Sequence, residues 1–127
     1  MSPSDLFIQL TNVKILVIGD IMLDHYIWGD VYRISPEAPV PVVSVSKDTY
    51  TAGGAANVAL NLANLGIKTQ LAGYYSKDDA GTRLIKILHE NGVLLLPNES
   101  ELNAPTIIKT RVMVRNQQLC RIDREIS

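Results

Sequence analysis

Short apolar runs rich in β-branched residues alternate along the chain with segments of helical period. The first run, residues 14–18 (Lys-Ile-Leu-Val-Ile), ends at Gly19-Asp20. A run with no polar alternation is typical of a strand buried on both faces of a parallel sheet. Further strands are predicted at 68–75 and 93–96. Helices are predicted at 6–10, capped by Ser4-Asp5, at 55–65, ended by Gly66, and from Asp78-Asp79 through His89.

Two other regions alternate with a period of two and predict hairpins. In residues 25–34, Tyr26, Trp28, Tyr32 and Ile34 fall on one face. The segment 35–39 (Ser-Pro-Glu-Ala-Pro) interrupts the pattern, and a strand resumes over 40–47. A second hairpin is predicted from 107–115 and 119–124, turning at Asn116-Gln117.

Strands that alternate with helices imply right-handed crossovers and an α/β fold, a parallel sheet flanked by helices. The two hairpins do not fit that layer and predict a small separate sheet, a β lid. We therefore assign residues 12–24 and 52–97 to the core strands and helices. Residues 25–47 and 106–124 are assigned to the lid.

Composition narrows the function classes. A chain of 127 residues with 46% hydrophobic and 20% charged residues fits one folded core. A formal charge of −1 gives no overall attraction to nucleic acid or an anionic membrane. Cys120, the single cysteine, is predicted to be a buried small hydrophobe. Without a basic leader or a run of about 20 apolar residues, the protein is expected to be cytoplasmic.

Adjacent glycines stand immediately before the second predicted helix. Gly53 and Gly54 would let backbone N–H groups approach a ligand closely. Asn57 lies in the first turn of that helix, which is apolar nearly all round and is therefore predicted to be buried. A buried amide needs partners, so Asn57 binds either a ligand or the neighbouring backbone.

Carboxylates follow the first predicted strand, at Asp20 and Asp24. The carboxyl end of a parallel strand is where ligands bind in open α/β sheets, and carboxylate oxygens accept bonds from sugar hydroxyls. Capping of a turn is the alternative role. Neither a G-x-G-x-x-G dinucleotide motif nor a G-x-x-x-x-G-K-[ST] phosphate loop occurs in the sequence.

A basic row follows one face of the strand predicted at 107–115. Period-two spacing places Lys109, Arg111 and Arg115 together. Such a row indicates either an anionic partner such as a phosphate or a solvated face. His25 and His89 lack the companions of a metal site, so no metal site is predicted and both are interpreted as structural.

Three segments together resemble the ribokinase-like (phosphofructokinase B-type) sugar kinases. These are Gly-Asp-Ile-Met-Leu-Asp (19–24), Arg-Ile-Ser-Pro-Glu-Ala-Pro-Val-Pro-Val-Val (33–43) and Gly-Gly-Ala-Ala-Asn-Val-Ala (53–59). With 105–111 and 115–119, they are most similar to the heptose 7-phosphate kinase branch. Met22 stands where many members of the wider family have Asn, which favours a substrate other than a simple pentose.

The resemblance implies a ribokinase-like α/β fold and substrate-binding roles for six residues. Asp24, Gly53, Gly54 and Asn57 would hold sugar hydroxyls, while Lys109 and Arg111 would project from the lid toward the substrate's phosphate. The implied reaction is ATP-dependent phosphorylation of D-glycero-D-manno-heptose 7-phosphate at the anomeric position. That reaction serves ADP-heptose and lipopolysaccharide core biosynthesis.

The resemblance also implies what to expect elsewhere in the protein. Family members carry a late G-x-G-D segment with the catalytic base, which we expect beyond residue 127, together with the ATP and Mg²⁺ site. The chain is thus expected to be the amino-terminal part of an incomplete kinase domain, inactive alone. In many bacteria such a kinase is fused to an adenylyltransferase domain. Dimers through the lid are frequent, which implies interface roles for Tyr26, Trp28 and Tyr32.

Other functions stay open at this point. The chain is also compatible with a different ribokinase-like phosphosugar kinase. A non-catalytic sugar-phosphate-binding module and a dimerisation module are further alternatives.

Overall fold

The structure, a computed structural model, describes residues 1–98 and 103–126. The helices are α1 (Pro3–Leu10), α2 (Ala55–Asn64) and α3 (Asp79–Glu90). The strands are β1 (Lys14–Ile18), β2 (Ile21–Ile34), β3 (Pro41–Gly54), β4 (Lys68–Ala72), β5 (Leu94–Leu95), β6 (Ile107–Val114) and β7 (Gln117–Arg124).

The first sheet is parallel, with strand order β1-β4-β5. Helix α3 connects β4 to β5, and α2 precedes β4, so the predicted α/β arrangement is confirmed. Within the described residues, β1 is an edge strand and Ile18 is 75% exposed, so these residues do not provide the predicted burial of β1 on both faces. Apolar composition alone does not reveal whether another element covers a strand.

The second sheet has strand order β3-β2-β6-β7. The two predicted hairpins form it, but they are joined by parallel pairing of β2 with β6. Strand β2 begins at Ile21 and β3 continues to Gly54. The second sheet therefore includes residues 21–24 and 52–54, which the sequence analysis assigned to the core.

Both sheets contribute to one hydrophobic core. Ile21, Leu23 and Ala52 at the base of the second sheet pack with residues of the first sheet and its helices. The buried partners are Ala56, Ala59, Leu71, Ala80, Leu84, Leu88 and Val93. The second sheet is thus anchored at its base, while its far end projects from the core.

Local signals placed the ends of α2 and α3 closely, whereas the predicted start of α1 and the predicted burial of α2 need correction. Asp78 caps α3 by accepting a bond from the Gly81 N–H at 2.8 Å, and Gly66 after α2 has φ +87°, as predicted. Helix α1 is capped by Ser2, with Asp5 as the other half of the capping box. Helix α2 is not buried all round, because only Ala56 and Ala59 are buried.

The Asp78 carboxylate also fixes the segment that leads into β6. It accepts bonds from the Thr106 hydroxyl at 2.7 Å and the Thr106 N–H at 2.9 Å. Partial desolvation opposes ionisation, but these bonds and the one from Gly81 together lower the pKa of Asp78 below its ordinary value. The carboxylate therefore stays ionised at neutral pH and keeps β6 beside α3.

None of the helices in the described part of the chain is long and apolar enough to cross a bilayer.

Candidate functional site

The candidate site lies on the face of the second sheet that points away from α3. Directly paired residues point to the same side of a sheet. The pairs Asp24–Lys109 and Lys109–Asp123, together with Tyr26–Arg111, therefore share one face with Gly53. We call this face, defined by Asp24, Tyr26, Gly53, Lys109, Arg111 and Asp123, the site face.

Asp24 is the carboxylate at the centre of this face. It was predicted at the carboxyl end of the first strand, but it is the fourth residue of β2, within the second sheet. Its Oδ1 accepts a bond from Arg111 Nη1 at 3.2 Å, and the two side chains are 18% and 25% exposed, respectively. A carboxylate held in this way remains accessible to a ligand but has a fixed orientation.

Gly53 makes room for that carboxylate. A Cβ at residue 53 would lie 2.7 Å from Asp24 Oδ2, closer than any side chain allows. Gly54 is required for a different reason: its backbone has φ +58° and ψ −134°, and a Cβ there would lie 2.4 Å from the carbonyl oxygen of Asp20. That same carbonyl accepts a bond from the Ala55 N–H at 2.8 Å. The glycine pair thus shapes the site as well as the turn into α2.

Asn57 is the third residue of α2, four positions after Gly53. The prediction that it is buried is wrong, because Asn57 is exposed. Its side chain makes no hydrogen bond to the residues that the structure describes. The alternative that Asn57 satisfies neighbouring backbone is therefore contradicted, and its amide is available to a ligand.

Lys109 is on the site face, but its ammonium group already has partners. It donates to Glu125 Oε1 at 2.9 Å and to Asp123 Oδ2 at 3.1 Å. The hydrogen bonds to Glu125 and Asp123 raise the pKa of Lys109 above its ordinary value. The sequence predicted either an anionic ligand or a solvated face for the basic row; in the structure, Lys109 and Arg111 each have a carboxylate partner within the protein.

Arg115 does not belong to the basic row. Strand β6 ends at Val114, and Arg115 and Asn116 form the turn with φ of +50° and +66°. The predicted turn at Asn116-Gln117 is thus one residue late. Two left-handed residues in a row are typical of the tight turn that joins antiparallel strands.

Aromatic rings extend the site face away from Asp24. Tyr26 and Trp28 stack at 5.5 Å between ring centroids. The Arg111 guanidinium lies 5.5 Å from the Tyr26 centroid, and Lys47 lies 4.9 Å from that of Trp28. Tyr26 thus helps to hold Arg111 beside Asp24.

The opposite face of the second sheet carries the histidine that was interpreted as structural. His25 Nε2 lies 2.9 Å from Asp48 Oδ2, and its ring stacks on Tyr50 at 4.2 Å. Arg83 of α3 lies 4.1 Å from the Tyr50 centroid. These contacts support the structural interpretation of His25. Within residues 1–98 and 103–126, no three His, Cys, Asp or Glu side chains are grouped to hold a metal ion.

Cys120 departs from its prediction. The thiol was expected to be buried, yet it is exposed on β7, the edge strand of the second sheet. Alternation does place Cys120 on the face opposite Asp123, but β7 is exposed along its whole length.

The partners of Lys109, Asp123 and Glu125, were not predicted from the sequence. The predicted hairpin was the sequence signal for these two partners, because the strand after a turn pairs with the strand before it. A β-bulge at Val112–Met113 conceals the pairing. Counted from the turn without that bulge, Lys109 would face Ile122 and not Asp123.

Comparisons with known proteins agree with this fold. The model described as pfkB family carbohydrate kinase matches residues 12–124. Over 111 residues the chain is 50% identical to Bifunctional protein HldE of Magnetococcus marinus, a match that covers 87% of this chain and 23% of that relative. The chain thus spans about a quarter of the length of such curated relatives.

Solved structures show the same fold at low sequence identity. A carbohydrate kinase from Agrobacterium tumefaciens has a TM-score of 0.68 and 22% identity, covering 87% of this chain and 35% of that chain. The ribokinase of Arabidopsis thaliana, complexed with ribose and ATP, has a TM-score of 0.60 and 19% identity, covering 90% and 35% of the two chains.

Proposed function

The chain belongs to the pfkB family of carbohydrate kinases, and from that premise we propose that it forms the sugar-binding part of an ATP-dependent sugar kinase. The proposed substrate is D-glycero-D-manno-heptose 7-phosphate, phosphorylated at its anomeric position for ADP-heptose and lipopolysaccharide core biosynthesis. Support for the heptose comes from the resemblance of residues 19–24, 33–43 and 53–59. The name of a 50% identical relative, Bifunctional protein HldE, supports a second activity in the complete protein.

One observation carries this proposal: carboxylates and cations lie side by side on the site face, Asp24 with Arg111 and Asp123 with Lys109. Asp24 Oδ1 is held by Arg111 at 3.2 Å, and Lys109 is paired in register with Asp24 on the adjacent strand. A sugar phosphate has the complementary chemistry, since it combines neutral hydroxyl donors with one anionic group. The arrangement suits such a ligand better than a neutral sugar or a bare anion.

The Asp24 carboxylate would orient the sugar by accepting hydrogen bonds from its hydroxyls. Bonds to a charged acceptor are shorter and stronger than neutral ones. Gly53 keeps space for the carboxylate, and the exposed Asn57 amide supplies both a donor and an acceptor near the start of α2. Gly54 would let the backbone before α2 approach the sugar closely. Together these groups would position the hydroxyl that receives the phosphoryl group.

Lys109 and Arg111 would bind the phosphate that the sugar already carries. Lys109 and Arg111 lie on the same face of the second sheet as Asp24, so this sheet would close off a bound sugar phosphate from solvent on one side. Closure of this kind excludes water and limits wasteful hydrolysis of ATP. We therefore assign the second sheet the role of a lid.

We expect ATP to be the phosphoryl donor and Mg²⁺ to accompany it, with their site and the catalytic base outside residues 1–127. ATP is bound in the Arabidopsis thaliana ribokinase of similar fold. Residues 1–127 do not fit a nucleotide site. The first N–H of α2, that of Ala55, donates to the Asp20 carbonyl, and the sequence contains no phosphate-loop motif. This chain's own share of the reaction is to bind and orient the sugar.

We also propose a homodimer formed through the second sheet, and a cytoplasmic location. Exposed apolar and aromatic side chains at the far end of β2 and on β3 support the interface. They are Tyr32, Ile34 and Val45. Of the other two residues expected at an interface, Tyr26 and Trp28, both are half-buried and stack on each other. Covering the exposed side chains in a dimer would remove apolar area from water, which stabilises association.

Replacing Lys109 by alanine in the complete protein tests the phosphate assignment. We expect KM for the heptose 7-phosphate to rise about tenfold, the effect of losing one charge-assisted hydrogen bond, with kcat little changed. High salt should shrink the difference, because phosphate attraction is then screened.

Lys86→Ala on α3 is the matched control, since it removes an exposed lysine away from the site face. It should leave KM unchanged. An unchanged KM for Lys109→Ala as well would contradict the phosphate-binding role of the second sheet.

A further inference from the structure

The ammonium group of Lys109 is held by two carboxylates. Glu125 Oε1 lies 2.9 Å from it and Asp123 Oδ2 lies 3.1 Å from it. A lysine has three N–H donors, so these contacts use two of them. The Lys109 side chain is only 14% exposed. A phosphate that approaches Lys109 therefore meets a cation whose charge is already balanced.

The two carboxylates are held to different degrees. Asp123 is also bonded to Arg121, through Nε at 3.0 Å and Nη2 at 3.1 Å, which fixes it on β7. Glu125 lies just after β7, is 41% exposed, and has Lys109 as its one ion-pair partner in the described part of the chain. Glu125 can therefore leave Lys109 without breaking another ion pair, whereas Asp123 cannot.

A carboxylate and a phosphate group compete for the same ammonium donors. Both groups are anionic oxygen acceptors, and they repel each other when they lie close together at one ammonium group. A phosphate dianion carries more charge than a carboxylate and can displace it, whereas a neutral sugar hydroxyl cannot. The exchange thus favours ligands with a phosphate group over ligands without one.

We propose that Glu125 occupies the phosphate position beside Lys109 in the free protein and is displaced by the phosphate group of the substrate. This inference rests on the proposed function of the site face. Glu125 acts as an internal competitor that sets the affinity for the sugar phosphate. Asp123, fixed by Arg121, remains in place and keeps Lys109 oriented during the exchange.

Glu125→Gln in the complete protein tests this inference, because glutamine keeps the length of the side chain and removes its charge. We expect KM for the heptose 7-phosphate to fall about threefold with kcat unchanged, the scale of a partly exposed ion pair. Inhibition by inorganic phosphate should strengthen by a similar factor, and both effects should diminish at high salt. Glu90→Gln, which removes an exposed carboxylate paired with Lys86 on α3, should change neither.

The outcomes separate this inference from the proposed function. If Lys109→Ala raises KM while Glu125→Gln leaves it unchanged or raises it, Glu125 is not a competitor and only this inference fails. If Lys109→Ala has no effect on KM, the phosphate assignment itself fails. In the Lys109→Ala background, Glu125→Gln should have no further effect on KM; a persistent decrease would mean that Glu125 acts by general repulsion and not through Lys109.

Discussion

Asp24→Asn in the complete protein is expected to lower kcat/KM for the sugar phosphate by about a hundredfold. The amide keeps the shape of the side chain but loses the charge that strengthens two or more hydrogen bonds to sugar hydroxyls. It also releases Arg111, which Asp24 holds at 3.2 Å. The free energy of unfolding should change much less, by about 1–2 kcal/mol, because the ion pair is only partly buried.

Asp30→Asn is the matched control for that change. Asp30 lies on the same strand and accepts a bond from the Tyr32 hydroxyl at 3.2 Å, away from Arg111. It should retain nearly full activity. If Asp24→Asn lost thermal stability in proportion to activity, Asp24 would be a structural residue and not a ligand of the sugar.

Gly53→Ala is expected to produce the second large effect, a loss of roughly tenfold to a hundredfold in kcat/KM. The new methyl group would lie 2.7–2.9 Å from all three terminal atoms of the Asp24 carboxylate. Because the clash is with a side chain, the Asp24 carboxylate can rotate away, and the fold should tolerate the change. The misplaced carboxylate would then no longer meet the sugar.

Gly54→Ala should differ from Gly53→Ala, because the new methyl group at residue 54 would clash with backbone and not with a side chain. A Cβ at residue 54 would lie 2.4 Å from the Asp20 carbonyl oxygen, in a backbone conformation that only glycine adopts readily. We expect a loss of about 2–4 kcal/mol in the free energy of unfolding. Thermal melts and steady-state kinetics on both variants check the contrast. Full activity in Gly53→Ala would show that the position of Asp24 does not matter.

The order of the elements could be predicted because local sequence determines it. Gly54 and Gly66 mark the two ends of α2, and the Asp78 side chain begins α3, so each boundary has a residue that requires it. The hairpin turn before Gln117 was placed within one residue. Such signals act over a few positions and do not depend on what packs nearby.

Burial and pairing could not be predicted, because they depend on distant elements. Leu16 and Ile18 have the composition of buried residues but lie on an edge strand. Alternation placed Lys109 and Arg111 on one face correctly, yet it could not show that β2 pairs with β6 in parallel and brings Arg111 to Asp24. The ion pair between Lys109 and Asp123 could not be predicted either, because a bulge between Val112 and Met113 shifts the β6–β7 register by one residue.

A crystal structure of the complete protein with bound D-glycero-D-manno-heptose 7-phosphate tests the central proposal most directly. It should show sugar hydroxyls within about 3 Å of the Asp24 carboxylate and the Asn57 amide. The phosphate should contact Lys109 or Arg111. A sugar phosphate bound elsewhere, or one that leaves Asp24, Asn57 and both cations without contact, would contradict the proposed site.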